Sequence, residues 1–568
     1  MEGKAMNRLL HVSQQELPGI AAELQFRAIG DAAKIVEPGD TVLIHTGIYR
    51  ETVVIENSGT ARRPITFTAA PAANVMVTGA DRVTSWTQVE GPDHIFFIPW
   101  THVFIPDKPR HTNPDDDAHL IIGRCEQVIV SSYLLRQVLR REELARGTFF
   151  VDEPNQRLYA WADNDADLNK TPAEVSVRST LWDSRGKYVH TRGIRFRYAA
   201  NVAQFGAAHF HDYAVVEDCV FERMNAGGAD FFDPCLGVIV RRCTFQDNGQ
   251  QGFTTDRSHK LRMTDCLVRN NNTKNFQRSW EAGGNKLWMS DGVIVENCQF
   301  VENRGEGLWF DCSNTNATVR NCLFAFNESA GLFYEISWGL HAHDNVFVGN
   351  GCYQETTRDA ACGLLLSESP DCLIERNLFI GNRDGISFRE HPRSTNSLTE
   401  KGKLVWIWSH DATVRNNTIA YNSEAQTWGH FVISDQRHLP EAMQDPATIG
   451  DPAKELWDKY KESAEGEFPT GLSLEKLNIS MRDNLYAVAD DQQIFHWGAL
   501  QVRNKRYPNL DEVRQELGLE QGSVVGDFQF KDYLTLDFRV PADSPAVKMG
   551  CYPKGKVPGV RLGVLRAR

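Results

Sequence analysis

The feature that most constrains this chain is a repeat. The segments VEDCVFERM (216–224), VRRCTFQDN (240–248), MTDCLVRNN (263–271), VENCQFVEN (295–303), VRNCLFAFN (319–327), AHDNVFVGN (342–350), IERNLFIGN (374–382) and VRNNTIAYN (414–422) align without gaps. Their fourth place is Cys219, Cys243, Cys266, Cys298, Cys322, Asn345, Asn377 or Asn417. Five places later stands an Asn in every segment but the first, which has Met224. The segments follow one another at 24, 23, 32, 24, 23, 32 and 40 residues. A unit this short, with alternating strands and no helix, cannot enclose a core by itself. It must stack, each coil pairing its strands with the coils above and below. Asparagines at equal places then bond amide to amide along the stack, as identical stacked chains do. The cysteines fill the interior of the same turn as small apolar residues, reduced rather than disulfide-bonded. No CxxC pair favours a structural zinc site. The fold class this predicts is all-β, a right-handed parallel β-helix, with the longer spacings as loops let into its wall.

The rest of the chain is read against that stack. Residues 1–81 supply an N-terminal cap and the first coils, with FRAIGDAAKIV (26–36) as a capping helix. Residues 82–178 break the repeat and read as an inserted β-rich, sandwich-like domain, in which GTFFVDEPNQRLYAWA (147–162) is a hairpin and RQVLRREEL (136–144) a short helix. Residues 179–568 are the main β-helix. Helical spacing recurs in 439–466 and in LDEVRQELGL (510–519).

Composition narrows function. With 41% hydrophobic and 24% charged residues, the chain of 568 has the balance of a soluble globular protein. It holds no apolar run of about 18 residues, so no membrane partner is expected. The first residues lack the apolar core of a secretory signal, so a cytoplasmic location is expected, with export open if the start was trimmed. A net charge of −13 argues against nucleic acid and, more mildly, against a strongly anionic polysaccharide.

Chemistry concentrates in GLWFDCSNTNATVRNCLFAFNESAGLFYEIS (307–337). Gly307 precedes Asp311 by four places, and Gly331 precedes Glu335 by four. Each acid lies 13 residues after the repeat cysteine, Cys298 or Cys322. Equal places on adjacent coils put the carboxylates about 5 Å apart, one rung from the next. That matches the roughly 5–5.5 Å between the two carboxyls of a retaining glycosidase rather than the roughly 6.5–9.5 Å of an inverting one. The count predicts a longer acid column with Asp256, Glu281, Glu368 and Glu390, whose like charges raise one another's pKa. Lys286 and Trp288 sit in RSWEAGGNKLW (278–288) beside Glu281. Lys286 could neutralise the column or hold a hydroxyl; Trp288, Trp309 and Tyr334 could stack on sugar faces. Blander readings stand beside these: Trp309 as core, Lys286 as a solvated charge, the acids as a calcium site or a hydrated wall.

GLWFD…GLFYEIS, preceded by WEAGGNKLW, resembles the right-handed β-helix β-xylosidases of glycoside hydrolase family 120. The resemblance implies a β-helix interrupted near its N-terminus by a β-sandwich. It implies a retaining double displacement with Asp311 as nucleophile and Glu335 as acid/base, and Glu281 and Lys286 touching the sugar. An oligosaccharide or glycoside is then the partner, with no cofactor and no metal required; oligomeric state is open. Two alternatives remain. One is a lyase or epimerase acting on a uronic-acid polysaccharide, with Lys286 or a histidine as base. The other is a β-helix that binds carbohydrate without cleaving it.

Overall fold

The computed structural model describes residues 7–91, 93–104, 123–232, 235–390, 393–431, 477–499 and 503–559. It is an all-β, right-handed parallel β-helix. The chain divides into two compact units: residues 1–232, 242–254 and 271–282 form the first, and 233–241, 255–270 and 283–568 the second.

In the first unit, strands of successive coils pair in parallel in three sheets. Thr41–Ile44, Ile65–Ala69, Val189–Arg192 and Val215–Glu217 follow one another in the first sheet. Val75–Thr78, Ile194–Arg197, Val220–Glu222 and Thr244–Gln246 do so in the second, and Val53–Ile55, Trp182–Ser184, Gly206–Phe210 and Gly227–Phe231 in the third. The described residues of 82–178 belong to this unit, and their strands pair mostly antiparallel, as Ile95–Pro99 does with Arg157–Trp161, apart from the parallel pair Arg136–Val138 with Thr148–Asp152. Thr148–Asp152 and Arg157–Trp161 form the hairpin expected around EPNQ. Residues 136–144 are not the helix expected: Arg136–Val138 is a strand beside Thr148–Asp152, followed by a single 3-10 turn, Arg141–Glu143. Gln137 and Val138 are buried by that pairing, so the sheet overrides local helical spacing. The N-terminal helix is short, Ile29–Ala33, and buries Ile29, Ala32 and Ala33.

The second unit repeats the three-sheet coil, and its pattern is that of the sequence repeat. The first two strands of each coil flank the Cys or Asn of the segment: Ile294–Glu296 and Gln299–Val301 around Cys298, Thr318–Arg320 and Leu323–Ala325 around Cys322. Phe300, Phe324, Phe347 and Phe379 hold one register and stack with rings 4.6–5.1 Å apart. The asparagine ladders form as expected. Asn303, Asn327, Asn350, Asn382 and Asn422 are each linked Nδ2 to Oδ1 at 2.8–3.0 Å, and Asn345, Asn377, Asn417 and Asn484 make a second ladder. All twelve cysteines are free thiols. Cys298 and Cys322 are fully buried, as packing requires. Leu510–Leu517 is the C-terminal helix expected, started by the Asn509 side chain and ended by Gly518 at φ 69°. The helix expected in 439–466 lies outside the described residues.

The ladder carries a stability prediction. Asn350 donates to Phe324 O and Asn382 Oδ1, and its Oδ1 accepts from the backbone N–H and the side chain of Asn327. Alanine removes all four of these buried bonds, although Asn382 Oδ1 keeps the Asn350 backbone N–H and Asn327 Nδ2 keeps Phe300 O, so Asn350→Ala is expected to lose about 3–5 kcal/mol, read as a lower midpoint in denaturant unfolding.

Candidate active site

In five successive coils of the second unit a glycine stands at or beside the start of the third strand, and these glycines share one register. Gly284, Gly307, Gly331, Gly363 and Gly385 follow one another up the sheet. A Cβ at Gly307 would stand 2.5 Å from Gly331 O, and one at Gly331 would stand 2.8 Å from Gly363 O, so no side chain fits there. Beyond the glycine, side chains alternate. In Leu308–Asp311, Leu308 and Phe310 point into the core, while Trp309 and Asp311 take the other face; in Leu332–Glu335, Leu332 and Tyr334 are inward, Phe333 and Glu335 outward.

This register builds two outward columns. Two places after the glycine come Lys286, Trp309, Phe333, Leu365 and Ser387. Four places after it come Trp288, Asp311, Glu335, Ser367 and Arg389. Phe310 is in register with Tyr334, so Asp311 and Glu335 occupy equal places on neighbouring rungs, about 4.7–4.9 Å apart along the sheet.

Both carboxylates are buried and held. Asp311 Oδ2 receives the Lys286 ammonium at 2.8 Å, whereas its Oδ1 makes no hydrogen bond with any described residue. Lys286 Nζ also lies 4.6 Å from the centre of the Trp309 ring. Trp309 Nε1 donates to Glu335 Oε2 at 3.0 Å. Arg389 and Arg393 both donate to Glu335 Oε1, at 3.1 and 2.8 Å. Burial and the neighbouring Asp311 carboxylate push the Glu335 carboxyl above the ordinary glutamate range, against the opposing pull of Arg393 and Arg389. Trp309 stacks on Phe333 with ring centres 5.2 Å apart, so it packs the floor while its N–H fixes the acid.

The expected six-acid column is shorter in the structure. Ser367 follows Glu335, and Arg389 follows Ser367. Gly307 comes four places after Asn303 and Gly331 four after Asn327, but Gly385 comes only three after Asn382. Counting 13 from the repeat asparagine therefore lands on Glu390, one place beyond the true register, and a one-place slip sends a side chain to the opposite face. Glu390 lies inward with Ile386 and Phe388, fully buried, its Oε2 accepting from the Ser409 N–H. Burial and Glu368 raise its pKa well above the ordinary value. It presents nothing to a sugar. Tyr334 is likewise corrected: it is inward, fully buried, and its hydroxyl donates to Trp338 O at 2.7 Å.

Trp288 is 39% exposed and in register with Asp311. Asp256 pairs with the adjacent Arg257 at 2.6 Å, and the Arg257 N–H donates to Trp288 O. Glu281 belongs to the first unit, in a turn at φ 56°. Among the described residues, Asp371, His410 and Asp411 form the one group whose ligand atoms lie within 4.8 Å of one another, close enough for a metal; neither Asp311 nor Glu335 belongs to it.

Arg389, Arg393 and Ser367 were not singled out from the sequence. The count of four from Gly363 and Gly385 finds Ser367 and Arg389. Arg393 has no such signal, because it comes from the hairpin Arg393–Asn396 with Leu404–Ile407.

A family model described as the right-handed β-helix region matches residues 211–360. No curated protein matches the chain in sequence. Among solved structures, the complex of XylC with xylose is similar at 15% identity, over 87% of this chain and 86% of that one, with a TM-score of 0.63. A glycoside hydrolase aligns at 10% identity, over 91% and 96%, with a TM-score of 0.43. The A-module of the Azotobacter vinelandii mannuronan C-5 epimerase AlgE6 aligns at 12%, over 88% and 94%, with a TM-score of 0.41. At such identities likeness speaks to fold alone, and the fold it supports is the right-handed parallel β-helix.

Proposed function

We propose that the protein is a retaining, β-xylosidase-like glycoside hydrolase. The observation that carries this reading is the pair Asp311 and Glu335 on adjacent rungs of one face, with Asp311 Oδ1 unengaged by any described residue. A separation of about one rung suits attack by one carboxyl and proton delivery by the other. A carboxylate oxygen of Asp311 attacks the anomeric carbon as the glycosidic C–O bond breaks. The Glu335 proton passes to the departing oxygen, leaving a glycosyl ester on Asp311. Glu335, now ionised, takes a proton from water, which attacks the same carbon and frees Asp311. Lys286 fixes Asp311 through Oδ2, and Trp309 fixes Glu335 through Oε2. Trp288 offers an exposed ring one rung from the nucleophile, suited to a sugar face. XylC, the similar fold, was solved with xylose, which makes β-xylosides the first substrates to try.

The test is a screen of chromogenic α- and β-glycosides, followed by NMR of the first anomer released from the best substrate. Retention of configuration is expected. Inversion, or an unsaturated product from β-elimination, would remove the assignment.

A further inference from the structure

Glu335 faces a conflict. As acid it must be protonated before the first step, yet two guanidiniums converge on its Oε1, and cations beside a carboxyl oppose its protonation. The two arginines are not held alike. Arg389 is fixed to the sheet: its Nε donates to Ser367 Oγ at 2.8 Å, and its guanidinium lies 5.2 Å from the Phe333 ring centre. Ser367 in turn donates to Glu368. Arg393 arrives on the hairpin, its side chain is 35% exposed, and Glu368 stands 4.0 Å away.

These arginines lie where the leaving sugar must go. In the double displacement proposed above, on which this inference rests, Glu335 hands its proton to the glycosidic oxygen, so the departing sugar is on the Glu335 side of the bond. Beyond Glu335 the sheet presents Ser367 and then Arg389, two rungs or about 10 Å along, and the Arg393 guanidinium reaches Glu335 from the hairpin. On the other side of Asp311 stands Trp288. The leaving-group side therefore carries two guanidiniums, whereas the other side carries the Trp288 ring and a Lys286 ammonium already paired with Asp311.

We propose that the leaving-group subsite takes a uronate, a sugar whose ring carboxylate docks on the Arg393 guanidinium with Arg389 behind it. The planar fork of arginine matches a carboxylate with two parallel hydrogen bonds. Such docking shifts positive charge from Glu335 to the substrate. Glu335 then holds its proton more tightly, and binding itself arms the acid. A neutral sugar leaves both guanidiniums on Glu335 and gains nothing of this kind.

The test uses the full chain and the glycone identified by the aryl-glycoside screen. Two disaccharides carry that glycone, one releasing glucuronate and one releasing glucose, so that the bond broken is alike. Wild type is expected to prefer the glucuronate conjugate by about tenfold or more in kcat/KM, the worth of a charge-assisted pair. The alkaline limb of kcat is expected at higher pH for that conjugate than for its neutral counterpart. In Arg393→Gln the ratio between the two substrates is expected to fall to near unity. Because it is a ratio within one variant, a loss of folded enzyme cancels. Equal rates in wild type, or an undiminished preference in Arg393→Gln, would overturn the inference while leaving the hydrolase reading intact. No cleavage of any aryl glycoside would bring down that reading, and this inference with it.

Discussion

Asp311→Ala is expected to lower kcat by roughly 10⁵-fold, the scale of losing a covalent nucleophile whose partners cannot replace it. The change is small in volume and sits at the end of Leu308–Asp311, where Leu308 and Phe310 keep the strand anchored in the core. The fold should survive. It also takes the Asp311 carboxylate away from the Lys286 ammonium, which lies beside Trp309 with little solvent. Added azide should enter the space left by the carboxylate, drawn by that ammonium, and restore cleavage of aryl glycosides. Its product would be a glycosyl azide of inverted configuration, because only one displacement has taken place. Mass spectrometry of wild type stopped during turnover should find the sugar on the peptide containing Asp311. An ester on another residue, or normal turnover by Asp311→Ala, would refute the nucleophile assignment.

The second large effect is at Glu335. Glu335→Gln is expected to lower kcat by about 10²–10⁴-fold for substrates whose leaving group is a sugar, the range of a lost general acid and base. Activated phenols depart without a proton, so their first step should persist while the glycosyl ester accumulates. A burst of phenol followed by slow turnover is the expected trace. The pH dependence follows from the sign of the shift. Burial and Asp311 hold the Glu335 carboxyl above the ordinary range, so the acid form persists to higher pH than a free glutamate allows. Wild-type kcat should fall as pH rises through that raised value, and Glu335→Gln should lose the alkaline limb. The amide also meets a structural penalty. Oε1 and Oε2 both accept in the wild type, whereas a glutamine has one accepting oxygen and an NH₂ that must face either the guanidiniums or Trp309 Nε1. A pH profile unchanged by Glu335→Gln would exclude Glu335 as the proton donor.

The sequence alone determined the coil. Cysteine, asparagine and phenylalanine recur at fixed places because every coil meets the same two neighbours, so the interior repeats wherever the chain does. The repeat segments, the reduced thiols and the asparagine ladders could all be read on that basis. The adjacency of Asp311 and Glu335 could be read for the same reason: between Cys298 and Glu335 the coil keeps its length. Where a coil changes length, counting from the asparagine fails. The turn between Asn382 and Gly385 is one residue shorter, and in a period of two that exchanges Glu390 for Arg389 on the outward face. Residues 136–144 show the same limit in another form, since their helical spacing yielded to pairing with Thr148–Asp152. Only the tertiary structure decided what surrounds the acids. Lys286 on Asp311, Trp309 on Glu335 and the two arginines on one oxygen are contacts between coils or from a hairpin. Their geometry depends on how far side chains reach across rungs, which no spacing along the chain records.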